Sequence, residues 1–328
     1  MPESVDARRP LRVALATAAA VLSGTGVALQ SRINGQLGAE LGDGFAAAFL
    51  SFSSGLVLLA IGMLLAPAAR RGVRRVVAAV RSREIPWWFL VGGASGAFFV
   101  LIQSLVIGVI GVALFTVGVV GGQLVSSLLI DRRGFGTMPA QRLTLTRAIG
   151  ALVAIVGVVL AVSGQVRADV PLWMLIAPFA VGLAVGFQQA ANGQVRAVAG
   201  SPLAATFGNF LVGTVLLTVA LGIHLIGTPW PATFPASPVL YLGGVVGIVF
   251  IWIQVIIVRT IGVLLLGLGL LSGQLAAAVL FDVLLPVEGH TFAFTSLLGA
   301  AITLVAVVVA ALPARRGTPS AEQAPSPE

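Results

Sequence analysis

A seven-residue word is written twice in this chain. Residues 30–36 read QSRINGQ and residues 188–194 read QQAANGQ, so Gln30, Asn34, Gly35 and Gln36 return as Gln188, Asn192, Gly193 and Gln194. The same offset of 158 residues carries Gly24 onto Gly182, Gly42 onto Gly200, Ala46-Ala47 onto Ala204-Ala205, Phe52 onto Phe210 and Gly55 onto Gly213. Further along, an offset of 151 carries Gly92, Gly96, Gln103, Gly111, Gly118, Gly122, Gln123 and Asp131 onto Gly243, Gly247, Gln254, Gly262, Gly269, Gly273, Gln274 and Asp282. Identity sustained over so many positions marks a duplicated unit, and duplication fixes architecture before any local propensity does.

Composition says where that unit lives. The chain has 328 residues, of which 58% are hydrophobic and 9% charged. A soluble domain carries about 25% charged residues, so this chain cannot clothe a water-facing surface. A helix needs roughly 20 apolar residues to cross a bilayer, and ten such runs can be marked. They span about 13–37, 45–66, 87–108, 111–130, 144–164, 172–195, 203–226, 239–258, 262–281 and 293–312. Segments one to four match six to nine, and five and ten take the remaining place by order.

The arginines orient these runs. There is no lysine, and with the N-terminus in the cytoplasm 17 of the 19 arginines fall on the cytoplasmic side, leaving Arg32 and Arg167 outside. That asymmetry is the topology signal of a multi-pass protein and places both termini in the cytoplasm. Five helices per unit is an odd number, so the second unit enters the membrane from the opposite face. The expected fold is all-α and integral to the membrane, with ten transmembrane helices as two inverted five-helix repeats. The divisions are a tail at 1–12, a first repeat at 13–164, a linker at 165–171, a second repeat at 172–312 and a tail at 313–328. Inverted repeats are the architecture of secondary transporters, which place substrate near the midplane at the repeat interface.

Other classes find little support. A net charge of +8 suggests nucleic acid, but that needs arginines on a soluble face beside aromatic platforms, and here they punctuate apolar runs. No nucleic-acid partner is expected. No cysteine is present, and His224 and His290 are too isolated to hold a metal. No nucleophile–base pair, HExxH, phosphate loop or dinucleotide fingerprint occurs. The expectation is no enzyme, no cofactor and no metal.

The candidate substrate-binding residues are the repeated amides Gln30, Asn34, Gln188 and Asn192, with Gln103 and Gln254 as a further matched pair. Members of each first pair are four apart and share a helical face. Amides in hydrocarbon need a partner, and two readings stand. Either the pairs face each other and bind a polar solute, or they hydrogen-bond helix to helix as packing. Asn-Gly within a helix also suggests local unwinding at 34–35 and 192–193. Arg32 either attracts an anion or snorkels to the outer interface. Carboxylates fall only near segment ends, at Glu40, Asp43, Asp131 and Asp282, which weakens a proton-coupled mechanism. The six arginines at 67–85 read as a basic cytoplasmic loop, a topology determinant or a contact for membrane lipid. Small-xxx-small spacings at Gly92/Gly96, Gly118/Gly122, Gly243/Gly247 and Gly269/Gly273 suit close helix packing, within the bundle or in a homodimer.

The glycine-rich first helix ending in Gln30…Asn34-Gly35, followed by the Phe49…Phe52…Gly55 helix, resembles the YdcZ-type family of bacterial inner-membrane proteins. That family is grouped with the drug/metabolite transporter superfamily. The resemblance covers the chain twice, at about 13–164 and 172–312, as in the fused form of the family. It implies secondary transport, with export of a small metabolite or drug-like solute across the bacterial inner membrane. The second repeat departs from the first by carrying Gln189 and Ala190 where the first has Ser31 and Arg32, so a shared site is only pseudo-symmetric. The alternative class is a non-transporting membrane scaffold that presents its basic loop to a partner.

Overall fold

Away from water, each backbone N–H and C=O must find its partner inside the chain, and a helix provides them within one segment. The computed structural model describes residues 9–136, 145–163, 170–285 and 294–311, and among them there are helices and no strand. Most of the expected tails and linker, and His290, lie outside the described residues. The helices are α1 (Arg9–Leu41), α2 (Gly44–Leu65), α3 (Pro67–Arg81), α4 (Gly92–Arg133), α5 (Leu145–Ser163), α6 (Leu172–Ala199), α7 (Pro202–His224), α8 (Gly243–Leu284) and α9 (Phe294–Ala311). Seven helical stretches among the described residues are long and apolar enough to cross a membrane. The first helix starts at Arg9, inside the expected tail.

The two expected segments at 87–108 and 111–130 form one element, α4, whose backbone breaks at Gly111 (φ 78°, ψ 167°). Only glycine adopts that conformation without strain. The break folds the helix back on itself, since the Phe99 and Phe115 rings approach to 5.6 Å. Sixteen residues of straight helix would hold them about 24 Å apart. The hairpin is the centre of the core, with Val106, Ile107, Ile110, Val112, Phe115 and Val117 all buried.

Contacts between helices recur at the sequence offsets. A Cβ on Gly24 would collide with the Leu270 carbonyl, and one on Gly182 with the Val119 carbonyl, its offset twin. Gly273 meets Val21 as Gly122 meets Phe179. The Phe52 and Phe210 rings stack at 4.9 Å, and each covers the other's neighbouring glycine, Gly213 and Gly55. The glycine spacings that suggested a homodimer are therefore consumed inside the chain: Gly118 faces Pro178 and Gly269 faces Ala20.

Turns are duplicated as well. Gly42 and Gly200 end α1 and α6 with φ of 65° and 58°. The residue that follows then caps the next helix. Asp43 accepts the Phe45 and Ala46 N–H groups at 2.9 and 3.1 Å, and Ser201 accepts that of Ala204 at 3.3 Å. Asp43→Ala and Ser201→Ala are each expected to cost about 1 kcal/mol, as N-caps do. The aspartate is expected to cost more, because its Oδ1 accepts from two N–H groups where Ser201 accepts from one. Thermal unfolding in detergent checks both.

Two expectations need correction. The basic segment at 67–85 is largely the helix α3 rather than a loop. It buries Ala69, Gly72, Val76 and Ala79 while its arginines stay exposed. Pro67 at its first turn is a helix-starting position, and the apolar residues recur every three or four positions, the pattern that seats one face. Nor do the Asn-Gly steps unwind: α1 and α6 run through Asn34-Gly35 and Asn192-Gly193 without interruption. Gly35 serves close packing, since a Cβ there would strike Ile107 of α4.

Candidate functional site

Each repeated amide pair meets a repeated glycine pair belonging to the other half of the chain. Gln30 and Asn34 on α1 lie against Gly243 and Gly247 at the start of α8. Gln188 and Asn192 on α6 lie against Gly92 and Gly96 at the start of α4. Glycine is what allows this, because a Cβ at Gly243 would collide with Asn34 Oδ1 and one at Gly96 would come within 2.6 Å of Gln188 Nε2. The four amides thus make two separate clusters, and no hydrogen bond joins one pair to the other.

The clusters differ in how their polar groups are satisfied. In the second, Asn209 Oδ1 accepts from Gln188 Nε2 at 3.2 Å and from Asn192 Nδ2 at 3.4 Å. In the first, Gln30 Nε2 donates to the Gly243 carbonyl at 2.8 Å. The offset twin of Asn209 is Ser51, whose shorter side chain leaves Asn34 alone. Asn34 is fully buried, and its Oδ1 and Nδ2, like Ser51 Oγ, have no hydrogen-bond partner. An orphaned buried polar group costs roughly 1–3 kcal/mol. Such a group in a native protein marks a place where something else completes the bond.

Exposure separates them too. Gln30 is 6% and Asn34 0% exposed, whereas Gln188, Asn192 and Asn209 are half-buried. Gln103 is buried at 0% with both amide atoms unpartnered, and its backbone runs beside Gly35. The side chain of Gln254 lies outside the described residues. Arg32 is half-buried, and its Nε and one terminal nitrogen are buried without a partner. A cleft of about 370 Å³ between α2, α7 and α8 is almost entirely apolar, lined by Leu58, Leu59, Leu203, Val245, Ile248 and Val249 among others. It does not include the amides.

In the sequence Ser51 and Asn209 are polar residues inside apolar runs, like several others. The signal that pairs them was the 158-residue offset applied to unlike residues. Asn209→Ser makes the second cluster resemble the first and is expected to lower stability by about 1 kcal/mol. The loss stays small because half-exposed amides can turn to water. Chemical or thermal unfolding beside Asn209→Gln measures it.

Long apolar helices, a folded-back α4 and buried neutral amides define a multi-pass helical membrane protein. Residues 15–160 and 172–309 each match the family described as "Putative inner membrane exporter, YdcZ". The chain belongs to that family, carrying its unit twice. No curated protein matches it. A solved crystal structure 20% identical to it superposes with a TM-score of 0.55, over 93% of this chain and 98% of that one. At that identity the likeness shows the fold alone.

Proposed function

We propose that this chain is a secondary transporter that exports a small neutral or amphipathic solute by alternating access between two inverted five-helix repeats. The family supplies export at the inner membrane. The repeat contacts support alternating access: α1 packs along α8 and α6 along α4, so each half packs on the other, as in transporters whose related halves exchange conformations. The α4 hairpin accounts for two crossings, and its offset twin α8, at 42 residues, is equally long for one. Counted with α1, α2, α5, α6, α7 and α9, two crossings each for α4 and α8 support the reading of ten. The arginine distribution supports a cytoplasmic place for both termini.

The observation that carries the site is Asn34, a fully buried amide with neither atom bonded, beside the unpartnered Ser51 hydroxyl. Gln30 completes the first cluster, Gln188 and Asn192 with Asn209 form the second, and Gln103 flanks the first in this reading, with Gln254 as its sequence twin. Neutral donors and acceptors suit an uncharged polar group on the solute. The apolar cleft suits a hydrophobic remainder. The arginine face of α3 seats the protein on anionic lipid headgroups, a contact of roughly 1 kcal/mol per arginine near the surface.

Thermal stabilisation of the purified protein against a panel of metabolites and drug-like solutes tests this reading, with Asn34→Ala and Asn192→Ala alongside. A solute at about 100 times its Kd is expected to stabilise by about 2.7 kcal/mol. Loss of that shift in the variants supports the site. A shift that survives both substitutions removes the amides from it.

A further inference from the structure

Four aromatic rings meet beside the second amide cluster. Trp88 and Phe89 belong to the short 3-10 turn Trp87–Val91 that leads into α4, Phe187 is on α6, and Phe135 follows the end of α4. The Trp88 and Phe187 rings lie nearly parallel, 26° apart in plane with centroids at 6.2 Å. Phe135 stands across both, at 87° and 5.4 Å from Trp88 and at 81° and 5.7 Å from Phe187. Phe89 backs Phe135 at 5.2 Å and is buried, in the same cluster as Ala191 and Val195 of α6. Trp88 is 38% exposed, and Phe135 and Phe187 are half-buried. Along the chain the set adjoins the amides twice. Phe187 precedes Gln188, and Trp88 comes one turn before Gly92, which meets Asn192.

Packing alone does not require these rings. The repeat copies what the fold needs, such as the stacked Phe52 and Phe210, yet this set is not copied. At the matching places stand Val239 and Leu240 in the 3-10 turn Pro238–Tyr241, Leu29 on α1, and Pro286. Nor is Trp88 an interfacial anchor. Its neighbour Trp87, 68% exposed, suits that place, while Trp88 turns its ring to three others.

The set is also close to the geometry of a sandwich. Holding a planar ring between two others needs the outer pair about 7 Å apart, twice the optimal carbon separation. The 6.2 Å between Trp88 and Phe187 falls about 1 Å short of that, with Phe135 as the end wall. Phe135 sits between Gly134 and Gly136, both at positive φ, 73° and 59°. A glycine on each side gives the backbone there the range that a hinge needs.

We infer that these rings are a stacking site for a planar aromatic group on the solute, entered as Phe135 swings aside, with Gln188 and Asn192 taking the solute's polar end. The inference rests on the export reading above and adds the solute's chemical class to it. On that reading the rings lie at the cytoplasmic mouth, where an exported solute is loaded, and the outer mouth has no copy of them. Arg132 and Arg133 end α4 just before Phe135, which favours an uncharged or acidic ring over a cation.

2-Naphthol and decahydro-2-naphthol carry the same hydroxyl on a flat and on a saturated frame of like size, so hydrophobicity alone gives the flat one no advantage. Binding to the purified chain in detergent is read from the concentration dependence of its unfolding temperature. The unaltered protein is expected to bind 2-naphthol about tenfold more tightly, within the range of ring stacking. Trp88→Val and Phe187→Leu each install the residue of the other repeat and are expected to abolish that preference. Either one answers where the other folds poorly. Trp87→Val, at the exposed neighbour, is expected to keep it. Failure of the unaltered protein to bind or prefer 2-naphthol overturns the stacking site, and so does a preference that survives both ring variants. Binding is read without transport, so these outcomes leave export standing. A ring-dependent preference in a protein that carries no solute into liposomes would end the export reading alone.

Discussion

Gly182→Leu is expected to leave little folded protein. A Cβ at Gly182 would collide with the Val119 carbonyl and sit 2.8 Å from the Gly122 Cα, backbone atoms that cannot swing aside. Here α6 and α4 touch backbone to backbone, and the leucine would force them apart along their whole contact. Overpacking in a well-ordered core costs typically 1–3 kcal/mol and more where the neighbours are backbone. Gly24→Leu, its twin against the Leu270 carbonyl, is expected to match it. Gly193→Ala is the control. Nothing lies within 4 Å of its Cβ position, so the only effect is the gain in helix propensity, up to about 1 kcal/mol. The sign of the change therefore separates glycines that build the interface from those that merely occupy a helix. The yield of monodisperse protein and its unfolding temperature measure both.

Asn34→Leu is expected to uncouple stability from function. Asn34 is fully buried and neither amide atom has a partner, so leucine removes an unsatisfied polar group while keeping the same branched skeleton. Replacing such a group with an apolar one is close to neutral or stabilising. If the amide is there to bind solute, the same substitution abolishes solute-dependent stabilisation and flux. Gln30→Leu behaves differently: it breaks a bond to the Gly243 carbonyl and is expected to lose roughly 1–3 kcal/mol, leaving an acceptor buried alone. Parallel measurements of unfolding and solute response on the two variants distinguish a binding amide from a packing one. If Asn34→Leu unfolds as Gln30→Leu does, with solute response intact, the amides are packing.

Much of this architecture was legible because duplication writes itself into sequence. The offsets of 158 and 151 residues reappear as paired contacts: Gly24 with Leu270 and Gly182 with Val119, Phe52 with Phe210. What periodicity could not say was which half each residue would meet. No hydrogen bond joins one amide pair to the other. The pairs face glycines copied from the other unit, and the small-xxx-small spacing carried that information without naming its partner. The amphipathic α3 was hidden because its arginines are a topology signal and a helix face at once. The break at Gly111 was readable as the short gap between the runs at 87–108 and 111–130. The bonds that the Val112 and Ala113 N–H groups donate to Asp282 were not, because no local rule connects a carboxylate to amides 170 residues away. The inequality of the two clusters turns on one unlike pair, Ser51 and Asn209, and an identity-based repeat search passes over such pairs.

The central claim is that the two halves are inverted in the membrane, and side-selective labelling tests it most directly. Ser82 lies in the connection between α2 and α4, and Thr233 in the corresponding connection between α7 and α8; both are exposed. Ser82→Cys and Thr233→Cys, made singly in this cysteine-free chain, are treated with an impermeant maleimide on intact cells and on inverted vesicles. The account predicts that Ser82→Cys reacts only from the cytoplasmic face and Thr233→Cys only from the opposite one. Reaction of both from the same face would mean parallel units, and the alternating-access account would be wrong.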